Sequence, residues 1–187
     1  MKHPLEQFRF CPRCGSKRFI ENNEKSKKCF DCCFVYYFNS SAAVVAVIEN
    51  KQDEILVARR AKDPAKGTLD LPGGFIDMHE TAEEAIAREV NEETGLFVTS
   101  QQYLFSIPNI YVYSDFEVQT VDLFFRCNMK DFNGLKAQDD VSELLFIKLK
   151  DLEPADFGLL SIRKGVEKLR SERKRGTSDN VQHSISR

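Results

Sequence analysis

Between Gly73 and Leu96 the chain reads GGFIDMHETAEEAIAREVNEETGL, and no other segment restricts the fold so tightly. Thr81 with Glu84 three residues on is a capping-box pattern, which predicts a helix beginning there. Ala82, Ile86 and Val90 recur at spacing four and predict a stripe turned toward a core. Gly95 suits the residue just past the helix end. Both ends and one side of the helix are thereby assigned. Its other surface carries Glu89, Glu92 and Glu93 within a sector of about 100°. Like charges at this spacing cost a helix a few tenths of a kcal/mol per pair, roughly, so the cluster needs an offset. Arg88 can reach Glu84 and Glu92 along the same side, orienting the acids rather than neutralising them.

The flanking segments predict the layer this helix packs on. AAVVAVIE and EILVARR, joined by NKQD, are rich in Val and Ile and read as two strands with a tight connection. LFVTSQQYLFSI, EVQTVDLFFRCN and LLFIKL read as further strands. AKDPAKGTLDLPGG between them is punctuated by Pro64, Gly67, Pro72, Gly73 and Gly74. Residues 157–173 read as a second amphipathic helix with Leu160, Val166 and Leu169 inward. Residues 1–8 look like a loose lead-in, and 173–187 like a mobile polar tail. Strands around one central helix, with another helix at the end, predict a mixed α/β sandwich whose strand order stays open.

Closely spaced carboxylates suit hard divalent cations such as Mg²⁺ and Mn²⁺, which take oxygen ligands and share them with substrate phosphates. The glycines of Pro72-Gly73-Gly74 let main chain come close to such a ligand. Gly74, five residues, Glu80, seven residues, then Arg88-Glu89-Val90-Asn91-Glu92-Glu93-Thr94-Gly95-Leu96 resembles the whole Nudix box at every fixed position. The resemblance implies a Nudix α/β/α sandwich over about residues 40–172. It also implies Mg²⁺- or Mn²⁺-dependent hydrolysis of a nucleoside diphosphate linked to another moiety. Carried over, it assigns Glu89 and Glu93 as main metal ligands and Glu92 as a direct or water-mediated one. A carbonyl of Gly73 or Gly74 would join them, with Glu80 and Arg88 structural. QDDVSELLFIKLKDL resembles the family's later acid-bearing segment, with Glu143 slightly preferred to Asp140 as the further catalytic acid. Phe146 stands where the family often has Trp.

Five of the six cysteines fall within twenty-three residues. CPRC and CFDC, carrying Cys11, Cys14, Cys29 and Cys32, are two CxxC knuckles of the kind that bind structural Zn²⁺. A four-thiolate site has no open position, so zinc would hold a ribbon over residues 9–38 together and take no part in catalysis. Cys33 adjoins Cys32 and cannot easily share its geometry, and Cys127 reads as a core residue. Lys17, Arg18, Lys25, Lys27 and Lys28 between the knuckles open a nucleic-acid role, with solubility the preferred explanation. A zinc ribbon preceding the box resembles the NADH pyrophosphatase branch of the family. Its Ser-Gln-Pro-Trp-Pro-Phe-Pro-x-Ser motif is half matched by SIPNIYVYS: Ser106, Pro108, Tyr111 and Ser114 agree, and Asn109 replaces Trp. Tyr111, Ser106 and Arg60 form the expected substrate-binding set.

A formal net charge of −2 over 187 residues gives no general attraction to nucleic acid or an acidic membrane. No apolar run reaches the roughly eighteen residues of a spanning helix, and the N-terminus lacks a secretory apolar stretch, so the expected setting is cytoplasmic. The expected partner is a small nucleotide substrate, NAD(H) or ADP-ribose by preference, with a homodimer as an option and nucleic acid not preferred. Rival readings are a non-catalytic Nudix ligand sensor whose ribbon contacts nucleic acid, and a hydrolase of nucleoside diphosphate sugars, nucleotides or NAD-capped RNA.

Overall fold

Strands form where the sequence alternates or runs apolar, and they fall into two units, Met1–Ser40 and Ser41–Arg187. The structure, a computed structural model, describes residues 3–182, with side chains through 175. In the first unit β1 (Phe19–Asn23), β2 (Ser26–Cys29) and β3 (Val35–Tyr37) make an antiparallel sheet in that order. Residues 3–8 are not the loose lead-in the sequence predicts. Leu5 is fully buried, and the exposed tip expected of Lys27 is instead 93% covered, its Nζ donating to the Phe8 carbonyl at 2.9 Å. Two polar main-chain ends are tied down as well: Leu5 N–H donates to His3 Nδ1, and His3 Nε2 lies 2.9 Å from the Asn23 carbonyl.

The second unit contains β4 (Ser41–Ile48), β5 (Glu54–Arg60), β6 (Leu69–Asp70), β7 (Gly73–Phe75), α1 (Ala82–Thr94), β8 (Val98–Tyr113), β9 (Phe116–Met129), β10 (Val141–Lys148) and α2 (Leu160–Gln182). Strands β7-β4-β9-β8 make one sheet and β10-β5-β6 another. β4 and β9 run parallel, and all other pairs are antiparallel. The first two strands are linked as expected: Glu49 bridges Ile55 across the NKQD turn, after which β4 and β5 separate into different sheets. β8 extends six residues beyond the expected LFVTSQQYLFSI, taking in PNIYVY up to Tyr113. Ser114 and Asp115, with φ of 51° and 58°, then form the two-residue turn whose twist suits a hairpin. Pro108 is accommodated because β8 is an edge strand.

An uninterrupted apolar strand implies burial on both faces, and β4 has it. Val44, Ala46 and Ile48 pack with Ala85, Ile86 and Val90 of α1, Leu96, Phe125 and Cys127. Val45 and Val47 pack on the opposite side with Phe124, Phe105 and the α2 residues Ile162, Val166 and Leu169. The central sheet is thus covered by a helix on each face, the α/β/α arrangement. Leu160, expected inward, is 52% exposed at the start of α2, and Ile162 takes the inward place. The helix runs on to Gln182, past its expected end at 173; the remainder of the expected tail, 183–187, lies outside the described residues. No helix among the described residues is long and apolar enough to cross a membrane.

α2 lies close against the sheet at Gly165, where a Cβ would collide with the ring of Phe124. Phe124 is fully buried and stacked on Phe105, so the ring has little room to yield. Gly165→Ala should therefore destabilise the protein by about 1–2 kcal/mol, overpacking outweighing the gain in helix propensity. Urea unfolding measures this; an unchanged or raised midpoint would show that the ring gives way.

Candidate functional site

The predicted capping box is in place and sets the start of α1. Thr81 Oγ1 accepts from Glu84 N–H at 3.2 Å, and the Glu84 carboxylate accepts the Thr81 N–H at 2.9 Å. This use of Glu84 removes it from Arg88, contrary to the sequence expectation. The Arg88 guanidinium instead grips Glu80, with Nε 2.8 Å from Oε1 and Nη2 2.9 Å from Oε2. It also donates to the Phe75 carbonyl at 3.1 Å, to Glu89 Oε1 at 2.8 Å and to Glu92 Oε2 at 3.1 Å. One cation therefore joins the loop before the helix to two of the three box glutamates. Paired hydrogen bonds from Arg88, with one from the Asp77 N–H, hold Glu80 down to about 2.

Glu93 lies deeper. It is 9% exposed, and its Oε2 accepts the Gly73 N–H at 3.0 Å. Burial, reinforced by the nearby acids Asp70, Glu89 and Asp140, pushes its carboxyl up to about 8 against that one stabilising bond. Glu89 is also raised, chiefly by burial, despite Arg88. The glycines make this packing feasible. Gly73 has φ of 151°, and a Cβ there would strike the Val44 carbonyl; a Cβ on Gly74 would strike the Glu89 carboxylate.

These groups line a cavity of about 400 Å³. On the helix side are Arg88, Glu89, Glu92 and Glu93, on the turn Gly73 and Gly74, and across from them Asp139 and Asp140. Of the expected substrate-binding set, Arg60 and Tyr111 line it, 3.5 Å apart, while Ser106 is exposed and does not. Arg60 also bonds Asp70 at 2.6 Å, which balances part of the burial that raises the Asp70 carboxyl. Of the two later acids, Asp140 lines the cavity and pairs with Lys62, whereas Glu143 sits outside it, 2.8 Å from Arg59 Nε. Phe146 packs edge-on against Phe132. Sequence reasoning missed Asp70, Asn109, Thr120 and Asp122. The last two were detectable as inward positions of β9, in register with Phe124, that break its apolar side.

The donor set suits a hard cation: oxygen atoms only, an excess of acid over the two guanidinium groups of Arg60 and Arg88, and a carboxylate raised chiefly by burial. The glutamates are spread more widely than the cysteines of the first unit, whose Sγ atoms all lie within 4.8 Å of one another. Cys11 and Cys32 Sγ are 3.7 Å apart, and Cys14 and Cys29 are 3.6 Å apart. A tetrahedron with metal–sulfur bonds of about 2.3 Å has edges of about 3.8 Å, so this cluster can hold a metal ion. The two knuckles repeat one backbone turn: Gly15 N–H donates to the Cys11 carbonyl and Cys33 N–H to that of Cys29. The residue after each knuckle is left-handed, Gly15 at φ 73° and Cys33 at φ 60°. Cys33 thus fills a glycine-type position.

Two measurements test this account. Cys33→Gly should stabilise the protein by about 1 kcal/mol by relieving the left-handed conformation, with bound metal unchanged; loss of metal would make Cys33 a ligand. Glu80→Gln should remove a stabilisation that is present above the ordinary glutamate value of 4.5 and drains away as pH falls toward about 2. Thermal melts of the variant should lie below wild type at pH 7 and converge with it in acid; parallel curves would contradict the assignment.

Among characterised proteins, NAD-capped RNA hydrolase NudC of Vibrio parahaemolyticus is 33% identical over 106 residues, 57% of this chain and 40% of that protein. ADP-ribose pyrophosphatase of Methanocaldococcus jannaschii is 38% identical over 114 residues, 59% of this chain and 63% of that one. The chain thus spans about two fifths of the length of the NudC relative it matches. In fold it is similar to a NUDIX hydrolase from Nitrosomonas europaea, with a TM-score of 0.69 at 22% identity, over 90% of this chain and 93% of that one. The NUDIX domain of Shewanella oneidensis NrtR, solved with ADP ribose, gives 0.56 at 23% identity, over 72% and 88%. The NUDIX domain model matches residues 39–167, a span that takes in every strand of the second unit, all of α1 and the start of α2. This chain belongs to the NUDIX family.

Proposed function

We propose that the protein is a pyrophosphohydrolase dependent on Mg²⁺ or Mn²⁺, cleaving the diphosphate bridge of a nucleoside diphosphate-linked compound of the NAD(H) or ADP-ribose type. The observation that carries this reading is the single cavity in which the Gly73-Gly74 turn, the box glutamates and Asp140 meet. The names of the two relatives support the substrate class. Glu89, Glu92 and Glu93, with a carbonyl of Gly73 or Gly74, are the residues that would hold the cations. Bound there, Mg²⁺ or Mn²⁺ supplies charge neutralisation for the diphosphate and makes water a better nucleophile.

The remaining work falls to the chain itself. The glycine turn lets a diphosphate lie against main chain, and Arg88 fixes the directions of Glu89 and Glu92. Water attacks one phosphorus, the bridging P–O bond breaks, and a nucleoside monophosphate separates from the phosphate of the other half. Asp140 is the assigned proton acceptor: it faces the cavity opposite the helix, where it pairs with Lys62. Arg60 and Tyr111 hold the substrate beyond the bridge. In the first unit we assign Zn²⁺ to the four thiolates as a structural ion, a site that suits the reducing cytoplasm.

Incubation with ADP-ribose, NADH or UDP-glucose plus Mg²⁺ or Mn²⁺, followed by chromatography, tests the reading. Glu93→Gln should lower turnover at least about a hundredfold while the protein folds as well as wild type, since a neutral amide is cheaper to bury. Asp140→Asn should also be strongly impaired, and Glu143→Gln should stay within about threefold of wild type. Near-normal hydrolysis by Glu93→Gln would sink the proposal, and binding without turnover by wild type would leave a ligand sensor.

A further inference from the structure

Along one face of the four-stranded sheet the inward side chains change character within a few residues. On β9 Phe124 is fully buried among apolar neighbours, but the next inward positions, Asp122 and Thr120, are polar and only 5% and 3% exposed. On β8 the inward sequence Phe105, Ile107 leads to Asn109, which is 6% exposed and lies opposite Thr120. All three polar residues line the same cavity as the box glutamates.

Burying polar groups is unfavourable unless each finds a partner. Asp122 has two: Thr120 Oγ1 donates to Oδ1 at 2.7 Å, and Ser161 Oγ from α2 donates to Oδ2 at 2.5 Å. These bonds dock the start of the helix on the sheet. Asn109 is different. Among the described residues no protein group hydrogen-bonds its side-chain amide, yet none of them leaves a fully enclosed side-chain N or O atom unpartnered. The amide therefore reaches open space, and the space this buried residue lines is the cavity.

We infer that Asn109 is a specificity-determining residue that reads the nucleobase of the substrate and selects adenine. A carboxamide presents one donor beside one acceptor, the complement of the adenine edge on which the N6 amine adjoins a ring-nitrogen acceptor. On the N7 edge guanine and hypoxanthine carry a carbonyl in place of that amine, two acceptors side by side, so the carboxamide keeps only one of its two bonds there. Asp122, with each oxygen already accepting a hydroxyl, is the anchor of the pocket and Asn109 its free reading group. The span is suitable. From β7, which carries the glycine turn, to β8 is three strand steps through β4 and β9, about 14 Å at about 4.8 Å each, room for a ribose and a base. Leu159 and Ile162 offer apolar cover for the base. The inference rests on the proposed hydrolase reading for the position of the diphosphate.

Calorimetric titration of the full chain with ADP, IDP and GDP in the presence of Mg²⁺ tests it. Wild type should bind ADP at least about tenfold more tightly than IDP or GDP, and Asn109→Leu should bring the three within about threefold. No ADP preference in wild type, tighter binding of GDP, or a preference that survives in Asn109→Leu would each overturn the inference. The wild-type comparison decides even if the variant does not fold. An ADP preference without turnover of ADP-ribose would support base reading and defeat the hydrolase proposal. Equal kcat/KM for ADP-ribose and its hypoxanthine counterpart would do the reverse.

Discussion

The Arg88 guanidinium is the interaction on which the site depends. It faces the Glu80 carboxylate with two parallel bonds, a geometry lysine could not supply, and spends its remaining donors on the Phe75 carbonyl, Glu89 and Glu92. The loop leading into α1 and the acids on α1 are consequently fixed relative to each other before any ligand arrives. This is preorganisation in a literal sense: the carboxylates are aimed by a bonded cation rather than by solvent. It also explains how a helix tolerates glutamates at such close spacing, since two of the three are partly balanced from within.

Glu93 is the acid that Arg88 leaves to others. Its one bond from the Gly73 N–H is insufficient to offset burial, and its carboxyl rises to about 8. A group held so far from its ordinary value opposes folding at neutral pH, and functional sites are where such costs persist. The same tension recurs across the cavity, where Asp70 is raised by burial and only partly relieved by Arg60. By contrast, the cysteine cluster of the first unit is a local arrangement that closes on itself, with two similar knuckles and no acid nearby in its ligand set.

Much of this was legible in the sequence, for identifiable reasons. The α1 boundaries follow from Thr81, Glu84 and Gly95, each acting within a turn of its own position. The two-sided burial of β4 follows from its unbroken apolar run, and the cysteine cluster from its spacing. What depended on distant partners was not legible. The sequence offered Glu84 both to the Thr81 cap and to Arg88, and only the bonding of Arg88 to Glu80 decides between them. It preferred Glu143 to Asp140, because only the pairing of β10 with β5 reveals that Glu143 lies beside Arg59. Lys27 reads as a surface cation, and becomes a buried strut only because the Phe8 carbonyl folds back onto it. Asn109 was visible only as a departure from a motif; its buried setting emerges from the register of β8 on β9.

The position of Gly73 bears on how relatives of this chain should be compared. Any side chain there would press into the Val44 carbonyl and lift β7 from β4, whatever the chemistry performed nearby. A descendant that had abandoned catalysis would still be obliged to keep that glycine. Its retention is a record of architecture, and the exposed Glu92, which the fold could surrender at little cost, is the more informative witness to a living enzyme.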